Sequence, residues 1–281
     1  MRYVGRVYRP PSEAKSLIIQ ATVGCTHNKC TFCPMYKEDK FHIRPFSDIM
    51  EDLKEARCEY TRVDRIFFAD GDALCLSTEK LLDLLNAVKA LFPECRRVGV
   101  YSRAAHLLRK SKEELRALKD AGLGIVYIGA ESGSDEVLRR VCKGETAKEI
   151  CEGVQKAEEC GITASVTFLS GLGGRELLEE HAVSTGKMIG RMGASYVGLL
   201  TMIPAPGTEI FEDMRSGRFE PLSTTEVEEE LKLILLNADC KKPCVIRSNH
   251  ASNHLVLSGT LPQDRDRLLR QVEMAMARNK K

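Results

Sequence analysis

Apolar, β-rich runs recur along this chain about every thirty residues, and helical patterns fill the intervals. The runs are 17–22, Arg65-Ile66-Phe67-Phe68-Ala69, Val98-Gly99-Val100-Tyr101, Ile125-Val126-Tyr127-Ile128, 162–169 and 195–201. They are continuous rather than alternating, which is what parallel strands covered on both faces require. Ser111 stands three residues ahead of Glu114, Thr146 ahead of Glu149 and Ser223 ahead of Glu226, each a capping-box spacing that starts a helix. Gly122 and Gly161 fall where helices should stop, just before strands. Six such strand–helix units in order predict a parallel sheet with right-handed crossovers. A closed barrel of this kind takes eight. The expected fold is therefore α/β, an open partial TIM barrel, (β/α)6, over residues 1–205.

After Ile203-Pro204-Ala205-Pro206-Gly207 the repeat ends. A short acidic helix, a helix over 224–238, a non-repetitive stretch 240–258 and a last helix from residue 262 are expected. Residues 206–281 thus read as a mostly helical C-terminal extension that closes the barrel and contributes to its substrate pocket.

Composition narrows the partners. Forty-two basic and 40 acidic residues leave a net charge of +2, too close to balance to draw in nucleic acid or an acidic lipid surface. No stretch is long and apolar enough for a membrane span or a signal peptide. Eleven cysteines would be a hazard in an oxidising compartment, so a cytoplasmic and anaerobic setting is expected.

Cys25, Cys30 and Cys33 follow directly behind the first apolar run. A 4Fe-4S cluster takes four thiolates when fully ligated. Three at this spacing leave one iron open to a cofactor. A Cys3His zinc site closed by His42 is the alternative, but structural zinc usually draws its ligands in two separated pairs. Cys58, Cys95, Cys142, Cys151 and Cys160 fall on helical patterns or near their ends and read as packing residues.

The later strand ends carry complementary groups. Asp70-Gly71-Asp72 offers carbonyls and carboxylates suited to an ammonium, or else a helix-capping turn. Tyr101-Ser102-Arg103 offers a hydroxyl and a guanidinium for a carboxylate. Gly129-Ala130-Glu131-Ser132-Gly133-Ser134 offers a carboxylate that can accept both hydroxyls of a ribose.

With these motifs together the chain resembles the radical S-adenosylmethionine enzymes. It is most similar to the branch with oxygen-independent coproporphyrinogen oxidases, methylthiotransferases and elongator-type radical subunits. The cysteine loop matches that family in type, with Phe32 before its third cysteine, although four residues rather than three separate its first two. The segment from Gly129 to Leu138 resembles the branch's ribose-binding signature. The resemblance, over roughly residues 16–205, implies two cofactors, a 4Fe-4S cluster and S-adenosyl-L-methionine. It implies Cys25, Cys30 and Cys33 as metal ligands, Phe32 beside the adenine, and Gly71 and Asp72 on the methionine ammonium with Asp70 in support. It places Ser102 or Arg103 on the carboxylate, and Glu131 with Ser132 on the ribose. A flavodoxin- or ferredoxin-type low-potential electron donor is implied as a partner.

The substrate end is read from the residues alone. Arg247, Asn249, His250, Asn253 and His254 form a dense polar run. If helical, it puts His250 and His254 on one face. That would suit a metal with help from Cys240 or Cys244, a polar wall for a small anion, or a structural plug. Arg44 is a further candidate anchor. The expected activity is hydrogen abstraction from a small-molecule substrate by a 5′-deoxyadenosyl radical. An RNA- or protein-modifying enzyme and a non-catalytic iron-sulfur or haem carrier are the alternatives.

Overall fold

The computed structural model describes residues 1–279, and the chain forms two compact units. The first comprises residues 1–28, 35–128 and 156–164. Its elements are β1 (Leu17–Gln20), β2 (Thr22–Val23), β3 (His42–Ile43), α1 (Phe46–Glu59), β4 (Arg65–Ala69), α2 (Thr78–Leu91), β5 (Arg97–Tyr101), α3 (Ala104–Arg109), α4 (Lys112–Asp120) and most of β6 (Leu123–Glu131). Strands β1, β4, β5 and β6 pair in parallel, with Leu17 opposite Ile66, Arg65 opposite Arg97 and Val98 opposite Leu123. Their continuous apolar runs bury Ile19, Phe67, Phe68 and Val100 almost completely, as a sheet covered on both faces demands. Phe67 sets its ring edge-on to Tyr101 and Tyr127, at 5.0 and 5.8 Å.

Helix α1 opens behind Pro45, whose ring presets the backbone angle a first turn needs. It turns Ile49, Leu53 and Ala56 inward, together with Asp52. That aspartate takes Arg44. The guanidinium lies 2.8 Å from the Asp52 carboxylate, both groups buried, and also donates to the Gln20 carbonyl at 2.7 Å. Arg44, expected as a substrate anchor, is thus a brace inside the first unit, because the carboxylate that neutralises it sits on the buried face of α1.

The second unit comprises residues 29–34, 129–155 and the chain from Ser165 onward. It holds the end of β6, then α5 (Asp135–Arg140), most of α6 (Ala147–Glu159), β7 (Thr163–Ser170), α7 (Leu178–Met192), β8 (Tyr196–Thr201), α8 (Glu209–Arg215), α9 (Thr224–Asn237), β9 (Cys244–Arg247), β10 (Ser258–Leu261) and α10 (Arg265–Asn279). Strands β7, β8 and β9 pair in parallel, and β10 returns antiparallel to β9. The capping boxes at Ser111 and Ser223 form as the spacing predicts, and Thr146 and Glu149 exchange the same reciprocal bonds. The order of strands and helices is the α/β, (β/α)6 arrangement expected, followed by a mostly helical C-terminal region.

Two expectations need correction. Residues 240–258 are not without regular structure, since they carry β9 and lead into β10. Cys58 and Cys142 are exposed rather than packed. Among the described residues, no helix is long and apolar enough to cross a membrane.

Candidate active site

The cysteine loop leaves the first unit through Gly24, whose positive φ of 75° turns the chain away from β2. Cys25 follows, and Asn28, itself at φ 46°, donates from its side chain to the Tyr36 carbonyl at 2.6 Å. In the second unit, Thr31 fixes the rest of the loop. Its N–H donates to the Val141 carbonyl at 3.1 Å, and its carbonyl accepts from the Ile210 N–H at 3.2 Å. Phe32 packs beside the apolar cluster of Val137, Val141, Leu172 and Ile210, an anchoring role in addition to the one expected.

Cys25, Cys30 and Cys33 stand as partly exposed thiols. Among the described residues, no three His, Cys, Asp or Glu side chains converge closely enough for a single ion. A zinc site needs such convergence, and His42 is exposed with its Nδ1 facing the Lys40 carbonyl at 3.0 Å. A 4Fe-4S cluster takes one thiolate on each of its irons, so its ligands need not meet at one point.

The turn after β4 holds its two acids inward. Asp70 is 1 % exposed, accepting from the Tyr36 hydroxyl at 2.7 Å, from the Gln20 amide at 3.1 Å and from the Tyr8 N–H at 3.4 Å. Burial pushes its carboxyl above the ordinary aspartate value, against those bonds. Asp72, fully buried, accepts from the Thr26 hydroxyl and from the Arg103 N–H at 3.2 Å, and pairs with His106 Nε2 at 2.9 Å. Gly71 lies hard against the cysteine loop. A Cβ there would sit 2.8 Å from the Tyr36 ring, 3.0 Å from the Gly24 carbonyl oxygen and 3.2 Å from the Cys25 Cβ. Only a glycine lets the strand end come this close. Ser102 is buried and donates to the Arg103 carbonyl at 2.7 Å. Cys75 is held as a neutral thiol, pushed up to about 12 by burial and then by the negative charges of Asp72 and Cys25.

The turn after β6 is built differently. The Ser132 N–H donates to the Ala130 carbonyl at 2.8 Å, closing a three-residue turn around Glu131, whose φ is +67°. That conformation is strained for a residue with a side chain. The carboxylate folds back over Gly129, where a Cβ would lie 2.0 Å from its Oε1. Lys143 faces it at 3.2 Å. Burial pulls that ammonium down, but the charges of Glu131, Cys30 and Glu145 outweigh it and hold Lys143 above the ordinary lysine value. Helix α7 grips the rest of the turn: Ser132 bonds His181 Nδ1 at 2.8 Å, the Gly133 N–H donates to the Thr185 hydroxyl at 3.0 Å, and the Ser134 hydroxyl donates to Glu180.

The polar run near the C-terminus is a loop, not a helix. His250 and His254 share no helical face, and both are exposed, as are Arg247 and Asn249. Asn253 ties the loop to the end of β8, donating to the Leu199 carbonyl and accepting from the Thr201 hydroxyl, each at 2.8 Å. The Ser252 N–H donates to His250 Nδ1 at 3.1 Å. Cys240 and Cys244 are buried, and the hydrogen bond from Cys244 holds the Cys240 thiol below its ordinary value. No third metal-binding side chain joins them among the described residues.

Sequence reasoning missed Lys143, His106, Tyr36 and the α7 side chains, because each reaches the site across tertiary structure rather than along a motif. It also gave no sign of a cavity of about 410 Å³ in the second unit, lined by Thr31, Leu172, Gly173, Gly174, Ile210 and Phe219 among others. In α7 a faint signal exists, since His181 and Thr185 share the helix face of buried Ala182, Met188 and Ile189.

Cys25 in the first unit, with a glycine turn packed against it, and Cys30 and Cys33 in the second are partly exposed thiols, the donor chemistry a 4Fe-4S cluster takes. The Heme chaperone HemW of Bacillus subtilis (strain 168) is 25% identical over 174 residues, covering 61% of this chain and 45% of that protein. The chain therefore spans less than half the length of that relative. Coproporphyrinogen III oxidase (HemN) from Escherichia coli shares the fold with a TM-score of 0.59 at 16% identity, covering 79% of this chain and 52% of that one. The methyltransferase TsrM from Kitasatospora setae, solved with cobalamin and a [4Fe-4S] cluster bound, gives a TM-score of 0.55 at 18% identity over 72% of this chain and 39% of that one. The Radical SAM superfamily profile matches residues 19–184, and the chain belongs to that superfamily of enzymes, which use a 4Fe-4S cluster and S-adenosylmethionine.

Proposed function

We propose that this chain cleaves S-adenosylmethionine reductively and uses the 5′-deoxyadenosyl radical to abstract hydrogen from a small polar substrate. When bound, the cluster supplies one electron to the sulfonium, so that a carbon–sulfur bond breaks and methionine leaves. Cys25, Cys30 and Cys33 hold it. The Gly71 backbone takes the methionine ammonium, with Asp70 and Asp72 shaping the turn from behind rather than reaching out, since their carboxylates are already bonded inside. Arg103 serves the methionine carboxylate, while Ser102, buried with its one proton given to the Arg103 carbonyl, shapes the strand end behind it. Glu131 accepts the ribose hydroxyls, Lys143 keeps that carboxylate ionised, and Ser132 fixes the turn. Arg247 at the end of β9 and Asn249, His250 and His254 on the loop after it address the substrate, and Asn253 anchors that loop. An electron donor of flavodoxin or ferredoxin type completes the cycle.

The observation that carries this reading is Glu131, a carboxylate on a strained turn held over a glycine with one lysine beside it. Strain of this kind collects at ligand sites. The test is anaerobic reconstitution with iron and sulfide, followed by dithionite and S-adenosylmethionine. The wild type should release 5′-deoxyadenosine, while Cys33→Ala and Glu131→Ala should not. A wild type that forms a cluster yet never cleaves the cofactor would favour the second reading, a haem or iron-sulfur carrier. Likeness to a haem chaperone supports that alternative, and stoichiometric haem binding would establish it.

A further inference from the structure

Behind the Glu131 turn lies a buried polar chain for which the proposed chemistry has no use. The Ser134 N–H donates to the Ser132 hydroxyl at 3.0 Å, and that hydroxyl bonds His181 Nδ1 at 2.8 Å. A hydroxyl oxygen accepts twice and donates once, so the Ser132–His181 bond can run in either direction, and the Leu169 carbonyl is a further hydrogen-bond partner of the imidazole. His181 Nε2 faces the Glu230 carboxyl at 3.7 Å. Glu230 in turn accepts from the Gly171 N–H at 2.9 Å, with the Ser170 hydroxyl against it. His181 and Glu230 are both 0 % exposed. Among the described residues, His181 Nε2 and Glu230 Oε2 have no hydrogen-bond partner.

Four elements meet at this chain: the end of β6, the end of β7, α7 and α9. Among the described residues, no third ionisable group shifts either member of the pair. From β6 comes Ser132, from β7 Ser170 and Gly171, while Glu180 on α7 is bonded to Ser134 and Glu228 on α9 to Asn279. Gly133 leaves the turn no slack, since a Cβ there would lie 2.3 Å from the Ser184 carbonyl oxygen. The turn therefore keeps its shape only while α7 keeps its place.

We propose that His181 and Glu230 are positioning residues: held uncharged, they lock the Glu131 turn and the glycine loop after β7 into the geometry that receives the ribose end of the cofactor. This rests on the reading of Glu131 as the ribose contact. Burial supports the uncharged state of both, pulling His181 down to about 4 and pushing Glu230 up to about 8. An ionised Glu230 would be a buried anion with no cation facing it, and although the Gly171 and Ser170 bonds favour the charged form, the larger cost of burial is relieved by admitting water to this pocket, which loosens the β7 loop.

Two measurements test this on the full chain. Hydrogen exchange of the Gly171 amide in the metal-free protein, corrected for intrinsic base catalysis, should accelerate about tenfold as pH passes 8. In the cluster-loaded protein, the Kd for S-adenosylmethionine should rise about tenfold over the same range. Glu230→Gln keeps the shape without the charge and should remove both responses. Flat wild-type profiles, or an alkaline limb that survives in Glu230→Gln, would overturn the proposal, and the wild-type data decide even if the variant folds poorly. If exchange responds but Kd does not, the lock exists without positioning the cofactor, and the proposal fails. If Glu131→Ala leaves Kd unchanged, the reading of Glu131 fails instead, independently of the exchange result.

Discussion

Two turns follow parallel strands in this chain, each carrying acids beside glycine, and they are built to opposite ends. After β4, Asp70 and Asp72 face inward to Tyr36, Gln20, Thr26 and His106, and the exposed product is a glycine backbone pressed against a cysteine. After β6, the side chain folds back over Gly129 to one largely buried lysine, and the remaining bonds come from Ser132, Gly133 and Ser134. In the first turn the carboxylates make the shape, and on the proposed function the backbone meets the ligand. In the second the backbone makes the shape, and on the same proposal the carboxylate meets the ligand. Motif spelling alone does not distinguish these cases. What decides is whether the acid finds donors within its own fold.

The comparison can be broken most sharply at Asp72. Asp72→Ala strips a buried acceptor from His106, Thr26 and the Arg103 N–H, and should cost about 3 kcal/mol in denaturant unfolding of the unloaded protein. Glu131→Ala removes the carboxylate facing buried Lys143 but leaves Cys30 and Glu145 near that ammonium, so it should cost about 1–2 kcal/mol, less than Asp72→Ala, yet weaken S-adenosylmethionine binding on the order of 10- to 100-fold. Equal stability losses in the two variants would erase the distinction.

The pH dependence of stability sharpens it next. Glu230, raised to about 8 from 4.5, stabilises the fold fully below pH 4.5 and loses that contribution as pH rises to about 8. His181, lowered from 6.5 to about 4, contributes fully above pH 6.5 and loses that contribution as pH falls through about 4. The two slopes cancel between 4.5 and 6.5. Above that window Glu230 acts alone, and stability should fall by about 2 kcal/mol up to pH 8. Urea midpoints across this range should therefore flatten in Glu230→Gln. Gly129→Ala comes next: its Cβ displaces the Glu131 carboxylate, and cofactor affinity should drop about tenfold with the fold intact. The smallest effect belongs to His250→Ala, an exposed loop residue, which should shift unfolding by less than about 0.5 kcal/mol.

The six parallel strands were legible because each is a continuous apolar run with a helix start or stop beside it. The β9–β10 pair was not. Cys244–Arg247 and Ser258–Leu261 are four residues each, with few fully buried positions and no repeating pattern. The helical reading of 249–254 failed because Ser252 and Asn253 bond backbone groups outside any helix, which favours a loop. In the site, Glu131 was legible from its turn, but Lys143, twelve positions later, carries no periodic signal and meets it only through folding. Arg44 was overread for the same reason in reverse. Its partner Asp52 hides on the inner face of α1.

The loop between β9 and β10 hangs from a fixed frame. Ser248 bonds Leu257 and Leu255 across its base, and Asn253 clips its middle to β8. Positions 249, 250 and 254 are exposed on that frame, and His250 also braces it by accepting from the Ser252 and Asn253 N–H groups. Such a division makes the tip exchangeable. If the loop meets the substrate as proposed, a lineage, or a protein engineer, can rewrite which molecule is recognised there while leaving the strand ends untouched, and new specificities on this scaffold then lie a few surface substitutions apart rather than a refolding away.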